Sequence, residues 1–443
     1  MYNYPIYSVT YPQYFKSGTP KPDPEPVYYP ERFTYDYDSE GVYCVSGVVS
    51  DYINEPEIVV PKTDTEGNVV EGIKDNAFKN AKAQNVIILN NIIKIGNYAF
   101  SHCTALESIK LSESITTVGY QVFEYCGKLL DLTIPKGINT FNTSTYISFL
   151  TGSSIKNIVI EDGRTVINNN MFYGAQKVTN IEIPESVTII GKSAFRECKA
   201  LTNIKLPKNL TTIDNYAFDY CSSLTSIELP ESVTTVGESV FSNCTKLLNL
   251  TIPKGINSFP TGYYKFLSDS YIKNIVIEPG RTIMPKYMIS GCSKLTNIII
   301  PDTVEIISDY AFSNCSSLTS IELPESVTTM GGYVFSGCSN LKTVTIPNSL
   351  AGLSGTISPI YDSYITKVIF KEGRTEIPAN MCKSSTSIID IDIPSTLQTV
   401  KQNAFYGCSK LATINYNGTE QMFNAITVES GNPKFLEATV IFQ

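Results

Sequence analysis

Ten residues, SIELPESVTT, stand at Ser226–Thr235 and again, unchanged, at Ser320–Thr329. Ten letters do not recur by chance in a chain of 443 residues. Aligning the surroundings of the two copies exposes a shorter unit of 23 residues, complete in LTNIKLPKNLTTIDNYAFDYCSS (Leu201–Ser223) and LTSIELPESVTTVGESVFSNCTK (Leu224–Lys246). Its template is L-x-x-I-x-L-P-x-x-V-T-x-I-G-x-x-A-F-x-x-C-x-x, with Ile/Leu, Val/Leu and Ala/Val exchanging. We count 16 copies of the I-x-L core, the first at Ile58 and the last at Ile414. Such a period dictates a solenoid, because one unit cannot bury its own apolar faces and stacked neighbours can.

Each part of the unit has a mechanical task. I-x-L alternates with period two, so the aliphatics point inward from a short strand. Proline then ends the ladder, having no N–H to donate. V-T-x-I-G is a second alternation, closed by a glycine turn and read as an extended segment on the opposite wall. A-F-x-x-C sends an aromatic ring and a small thiol inward before the chain returns. The fold class expected is a repeat solenoid of the leucine-rich-repeat kind, mostly β with short turns, about 16 coils of 23 residues and capped at both ends. At about 4.8 Å per rung the coils would make a curved rod on the order of 75–80 Å long.

Composition narrows the function. The balance of 34 basic and 42 acidic residues gives a net charge of −8, which speaks against nucleic acid or an anionic membrane as partner. No apolar run of about 18 residues predicts a membrane-inserted helix, and MYNYPIYSVTYPQYFKSG lacks the basic leader and apolar stretch of a secretion signal. The single histidine, His102, has no nucleophile constellation around it and reads as an exposed turn residue. Glu182, Glu228 and Glu322 lie on one flat strand face, without the facing pair that glycosidase chemistry requires. No catalytic residue, cofactor or metal is expected. Nine of the eleven cysteines share one repeat position, from Cys103 to Cys408. That spacing gives no metal-binding pair, so they read as packed, unpaired thiols.

A longer period overlies the short one. Three units depart from the template after their proline, at Thr133–Thr165, Thr251–Thr282 and Thr345–Thr375, and each ends in Gly-Arg-Thr. Their Arg164, Arg281 and Arg374 are three of only five arginines in the chain. Two readings stand: guanidiniums displayed to a carboxylate, phosphate or sugar, or arginines replacing a wall residue at the Val233 position and bonding backbone carbonyls. The same turns carry Phe141, Tyr146 and Phe149; Tyr263, Tyr264 and Phe266; Tyr361 and Tyr364. These aromatics read either as a plug in a widened coil or as ligand contacts, with Tyr146, Tyr263, Tyr264, Tyr361 and Tyr364 as candidates. On the outer strand face one column is polar (Asn157, Asn180, Asn203, Ser226) and reads as a self-satisfied ladder. The next mixes charge with Val159, Val276, Ile299 and Ile369 and suggests a partner patch.

The ends differ in kind. Residues 1–37 are rich in Tyr and Pro and read as an extended arm, with Tyr2, Tyr4, Tyr7, Tyr11 and Tyr14 as candidates for docking onto an anchoring partner. Residues 38–57 read as an N-terminal β cap, 58–416 as the solenoid and 417–443 as a polar closing cap with a helix near Glu420–Ala425 and a strand at Ala438–Phe442.

The unit LTSIELPESVTTVGESVFSNCTK resembles the BspA-type (Treponema pallidum-type) leucine-rich repeat, and YNGTEQMFNAITVESGNP near the end resembles that family's terminal segment. The resemblance implies surface or secreted proteins that adhere to matrix proteins or other cells, and it supplies no catalytic residues. The expected function is therefore a non-catalytic recognition scaffold, extracellular or cell-surface, binding a protein or glycan on a host or neighbouring cell. One alternative is a bacteriophage virion protein, displayed on the particle and anchored by the arm. Another is a structural spacer.

Overall fold

A computed structural model describes residues 26–141 and 147–443. The coils stack as the repeat predicts, and each has three walls. The I-x-L cores form short parallel strands in which equivalent residues face each other across coils. Ile58 lies against Val86 and Val86 against Ile109; Leu132, Ile158 and Ile181 follow suit, as do Leu250, Ile275 and Ile298, and Val344, Val368, Ile391 and Ile414. Only the cores at Ile204, Ile227 and Ile321 form no strand. The second wall consists of two-residue parallel strands at the T-x-V position, such as Ile189–Ile190, Thr212–Ile213 and Thr235–Val236.

The third wall carries the phenylalanines. The Phe78 amide donates to the Ala99 carbonyl of the next coil at 2.8 Å, Phe195 to Ala217 at 2.8 Å and Phe218 to Val240 at 3.0 Å. Ring centroids in this column lie 5.2 Å apart for Phe195–Phe218 and 5.8 Å for Phe218–Phe241, nearly parallel. The chain makes this tight corner with two left-handed residues per coil, including non-glycines such as Tyr98 (φ 55°) and His102 (φ 62°). That conformation is costly for a residue with a Cβ. It is held because each aims its amide along the stack: Tyr98 to the Tyr120 carbonyl at 3.0 Å, His102 to Glu124 at 2.7 Å.

The repeated decamer is explained by bonds between coils. Ser232 Oγ donates to the Leu210 carbonyl at 2.7 Å and Thr234 Oγ1 to that of Thr211 at 3.4 Å. In the second copy Ser326 reaches Val304 at 2.6 Å and Thr328 reaches Glu305 at 3.3 Å. The cysteines bond in the same direction. Cys221 Sγ lies 3.1 Å from the Phe195 carbonyl and Cys244 Sγ 3.0 Å from that of Phe218. All eleven thiols are buried and unpaired. One continuous apolar cluster runs from Phe33 to Phe435.

Neither sheet is continuous, and the breaks alternate. Among the described residues, the T-x-V ladder stops after Phe141, Ser258 and Leu353 and resumes at Val166, Ile283 and Glu376. At all three places the I-x-L strands are paired. Conversely the I-x-L ladder lapses around Ile204, Ile227 and Ile321, where the T-x-V strands are paired. The breaks in the two walls are therefore staggered along the stack.

The ends extend the walls. Strand β1 (Phe33–Tyr37) pairs antiparallel with β2 (Tyr43–Val48), which adds in parallel to Gly72–Ile73. Phe33 packs edge-on to Phe78 with centroids 6.1 Å apart. The cap thus begins within residues 1–37, since Phe33 is an apolar lid for the first ring of the column. At the other end lie helix α1 (Glu420–Asn424), capped by Thr419 accepting from the Met422 amide, and helix α2 (Pro433–Glu437). The final strand, Thr439–Phe442, pairs with Thr413–Tyr416, and Phe435 stacks on Phe405 at 5.3 Å. In this segment Leu436, Ile441 and Phe442 are exposed beside the polar residues Glu420, Gln421, Glu437 and Thr439.

Candidate functional site

The three Gly-Arg-Thr arginines do not face solvent. Arg164, Arg281 and Arg374 are 5%, 6% and 4% exposed. Arg164 Nη2 donates to the Pro135 carbonyl at 3.1 Å and also to that of Ile138. Arg281 Nη2 reaches Pro253 at 2.8 Å, Lys254 at 3.0 Å and Ile256 at 2.6 Å. Arg374 bonds Leu350 and Glu376 at 3.1 and 2.9 Å through Nη1, and Pro347 through Nη2. The reason lies in the template. In regular coils the carbonyl at the valine position accepts a serine hydroxyl from the next coil, as Leu210 does from Ser232. Gly-Arg replaces Ser-Val, so the guanidinium supplies the missing donor where the T-x-V ladder breaks. Burial pulls all three guanidinium pKa values down, and no carboxylate pairs with them among the described residues. Of the two readings, the geometry is that of the carbonyl bond, and ligand display by these arginines is corrected accordingly.

The aromatics of the same coils divide by chemistry. The phenylalanines are the plug: Phe149 and Phe266 are buried, and Phe259 packs against Phe266 with centroids 6.0 Å apart. The tyrosines turn outward, with Tyr263 91%, Tyr264 43% and Tyr364 52% exposed. Tyr361 is half-buried against Tyr333. Tyr146 and the arm candidates Tyr2, Tyr4, Tyr7, Tyr11 and Tyr14 lie outside the described residues.

The second irregular turn forms a site of its own. Tyr263 meets Tyr264 edge to face at 5.0 Å, and Tyr264 leans toward Tyr216, one wall residue of an earlier coil, at 6.5 Å. Beside them a groove of about 350 Å³ runs between Thr212–Asn215, Thr235–Glu238 and Ser258–Gly262. A Cβ on Gly262 would stand 2.4 Å from Glu238 Oε1, so glycine is what lets that carboxylate close on the turn. Burial, and then the Glu238 charge, push the Tyr216 hydroxyl upward in pKa. Lys265 caps the far side, with its ammonium 3.7 Å from the Tyr287 ring centroid and bonded to the Thr261 and Gly262 carbonyls.

A stack of tyrosines was not singled out in the sequence. Tyr287, Tyr310 and Tyr333 lie ring on ring at 5.1 and 4.7 Å. Their signal is legible: tyrosine recurs two residues before the inward wall residue in KYMI, DYAF and GYVF. The polar strand column behaves as expected, Asn157 bonding Asp131 at 2.7 Å and Asn274 bonding Asn249 at 2.8 Å. In the neighbouring column Val276 and Ile299 are exposed side by side. Where the I-x-L ladder lapses, clefts of about 710 and 510 Å³ open between coils, over Ile204–Ile227 and Ile298–Ile321.

His102 Nδ1 lies 2.7 Å from Ser101 Oγ and its ring tilts onto Tyr125; both are local contacts of the corner. Among the described residues no group of three His, Cys, Asp or Glu side chains is placed to hold a metal ion. No helix there is long and apolar enough to cross a membrane.

Comparison with known proteins follows the repeat. A family model described as the BspA type leucine rich repeat region matches residues 71–173, 146–267, 260–371 and 360–428. A leucine-rich repeat protein from Bacteroides ovatus is similar in structure at 23% identity, over 93% of this chain and 98% of that one, with a TM-score of 0.55. A leucine rich cell surface protein from Faecalibacterium prausnitzii matches at 23% identity over 92% and 99%, TM-score 0.34. The T. pallidum leucine rich repeat protein matches at 22% over 49% and 88%, TM-score 0.33. These identities speak of the fold alone. No curated protein matches the chain.

Proposed function

The chain belongs to the BspA-type leucine-rich-repeat family, and we propose that it is a non-catalytic recognition scaffold that holds a protein or glycan ligand of a cell surface. Leucine-rich-repeat solenoids serve as interaction scaffolds, with long surfaces for partners. The observation that carries the reading is the division of labour in the irregular coils. Buried arginines and phenylalanines keep those coils stacked, while the extra residues put Tyr263, Tyr264 and Tyr364 into solvent. At 91% exposure Tyr263 contributes little packing there, and exposed tyrosines bind well because a rigid ring loses little entropy. The location proposed is extracellular or on the cell surface.

The test is adhesion of whole cells, bacterial and epithelial, to the purified immobilised chain. Adhesion that falls at least fivefold in the Tyr263→Ala/Tyr264→Ala double variant, with an unchanged circular-dichroism spectrum, supports the reading. Equal adhesion by the variant, or none by either protein, overturns it and leaves the spacer alternative.

A further inference from the structure

The groove below Tyr263 has a chemistry of its own, and the inference drawn from it rests on the recognition reading above. We propose that it binds a neutral glycan. Aromatic rings adjoin it: Tyr263, 91% exposed, follows the lining residue Gly262, Tyr264 comes next, and Tyr216, which Tyr264 approaches, follows the lining residue Asn215. An aromatic face is the natural seat for the apolar C–H side of a sugar ring, which gains by leaving water.

The floor is polar and has spare capacity. Among the described residues the Glu238 carboxylate accepts no hydrogen bond and makes no ion pair; its amide, by contrast, donates to Asn215 Oδ1 at 2.7 Å. Asp214 Oδ1 accepts only from the adjacent Asn215 amide at 2.6 Å. Asn215 therefore keeps its Nδ2 donors, and the two carboxylates keep acceptor sites, all facing one groove of about 350 Å³. A sugar carrying adjacent hydroxyls satisfies both sets at once, donating to a carboxylate and accepting from an amide.

The charge decides against anionic ligands. Both charged groups on the floor, Asp214 and Glu238, are negative. The nearby ammonium of Lys265 interacts with Glu238 but does not line the groove, being held by the Thr261 and Gly262 carbonyls and the Tyr287 ring, and as one positive charge against two it leaves the floor net negative. Sialylated, sulfated or uronic-acid glycans would bring like charge into the groove.

The experiment uses the full chain on a printed panel of neutral hexose and N-acetylhexosamine oligosaccharides, with sialylated and uronic-acid oligosaccharides beside them. Titration calorimetry follows on the probe retained best. We expect retention of neutral probes, weakened tenfold or more by Tyr263→Ala and by Glu238→Gln, and within twofold of wild type in Tyr406→Ala, an exposed tyrosine far along the stack. No retained neutral probe, preference for acidic probes, or undiminished binding by both groove variants overturns the assignment. Tyrosine-dependent cell adhesion without any glycan binding sinks the glycan assignment alone. Loss of that adhesion result sinks the recognition reading as well.

Discussion

Replacing Arg281 with alanine tests whether this residue is part of the wall or part of a binding surface. Its guanidinium serves three carbonyls at 2.6–3.0 Å. Pro253 and Ile256 lie buried, and of these only the Pro253 carbonyl has a second donor, a long bond of 3.4 Å from the Ile256 amide. A buried acceptor left without a partner costs about 1–3 kcal/mol, and only the Ile256 carbonyl is so left, so the expected loss is about 1–3 kcal/mol. Lost packing of the side-chain stem adds to this. Arg281→Lys keeps the charge but not the planar fork, and should lose about half as much. The chain has no tryptophan, so urea unfolding is followed by circular dichroism. Hydrogen exchange over residues 256–284 supplies the local reading that a long repeat array requires, because such arrays need not unfold in one step. An alanine variant with wild-type unfolding and wild-type exchange would refute the reasoning. A variant that lost only ligand binding would restore the displayed guanidinium.

Two further outcomes are expected. Burial pushes the Cys44 and Cys292 thiols up to about 11 and Cys408 to about 12, so an aromatic disulfide reagent at pH 8 should label none of the eleven cysteines until the chain is unfolded; rapid labelling of the native protein contradicts this. Asp64 is held at about 2 against an ordinary 3.8, first by the Asn68 side chain, with Tyr43 also donating. A lowered carboxyl pKa stabilises fully above the unfolded value and is lost as pH falls through the folded one, so exchange protection of the Asp64–Asn68 turn should hold from pH 7 to about 4 and decay from there to about 2. Asp64→Asn should abolish that pH dependence, and decay already at pH 6 would disprove it.

The stack was legible in the sequence because its determinants are periodic. A 23-residue spacing places Phe195 beside Phe218 whatever surrounds them, and the thiol column follows from the same arithmetic. The arginines were legible as wall residues bonding carbonyls, the reading the geometry bears out, but the sequence left display to a ligand open beside it. Their role depends on the serine hydroxyl missing at Gly163, and that bond is invisible until Ser232 is seen to reach Leu210. The left-handed corners were missed for a related reason: tyrosine and histidine are not residues that announce positive φ. Where the strand ladder lapses also escaped the sequence. Ile204 and Ile227 carry the same motif as paired strands elsewhere, and nothing in that motif marks the lapse.

The alternating breaks have a mechanical consequence. Wherever one sheet has a joint, the opposite sheet bridges it, as in brickwork laid with offset courses. A tear along any joint must therefore cut an intact ladder on the other side. At these joints the stack has no plane along which both ladders part together.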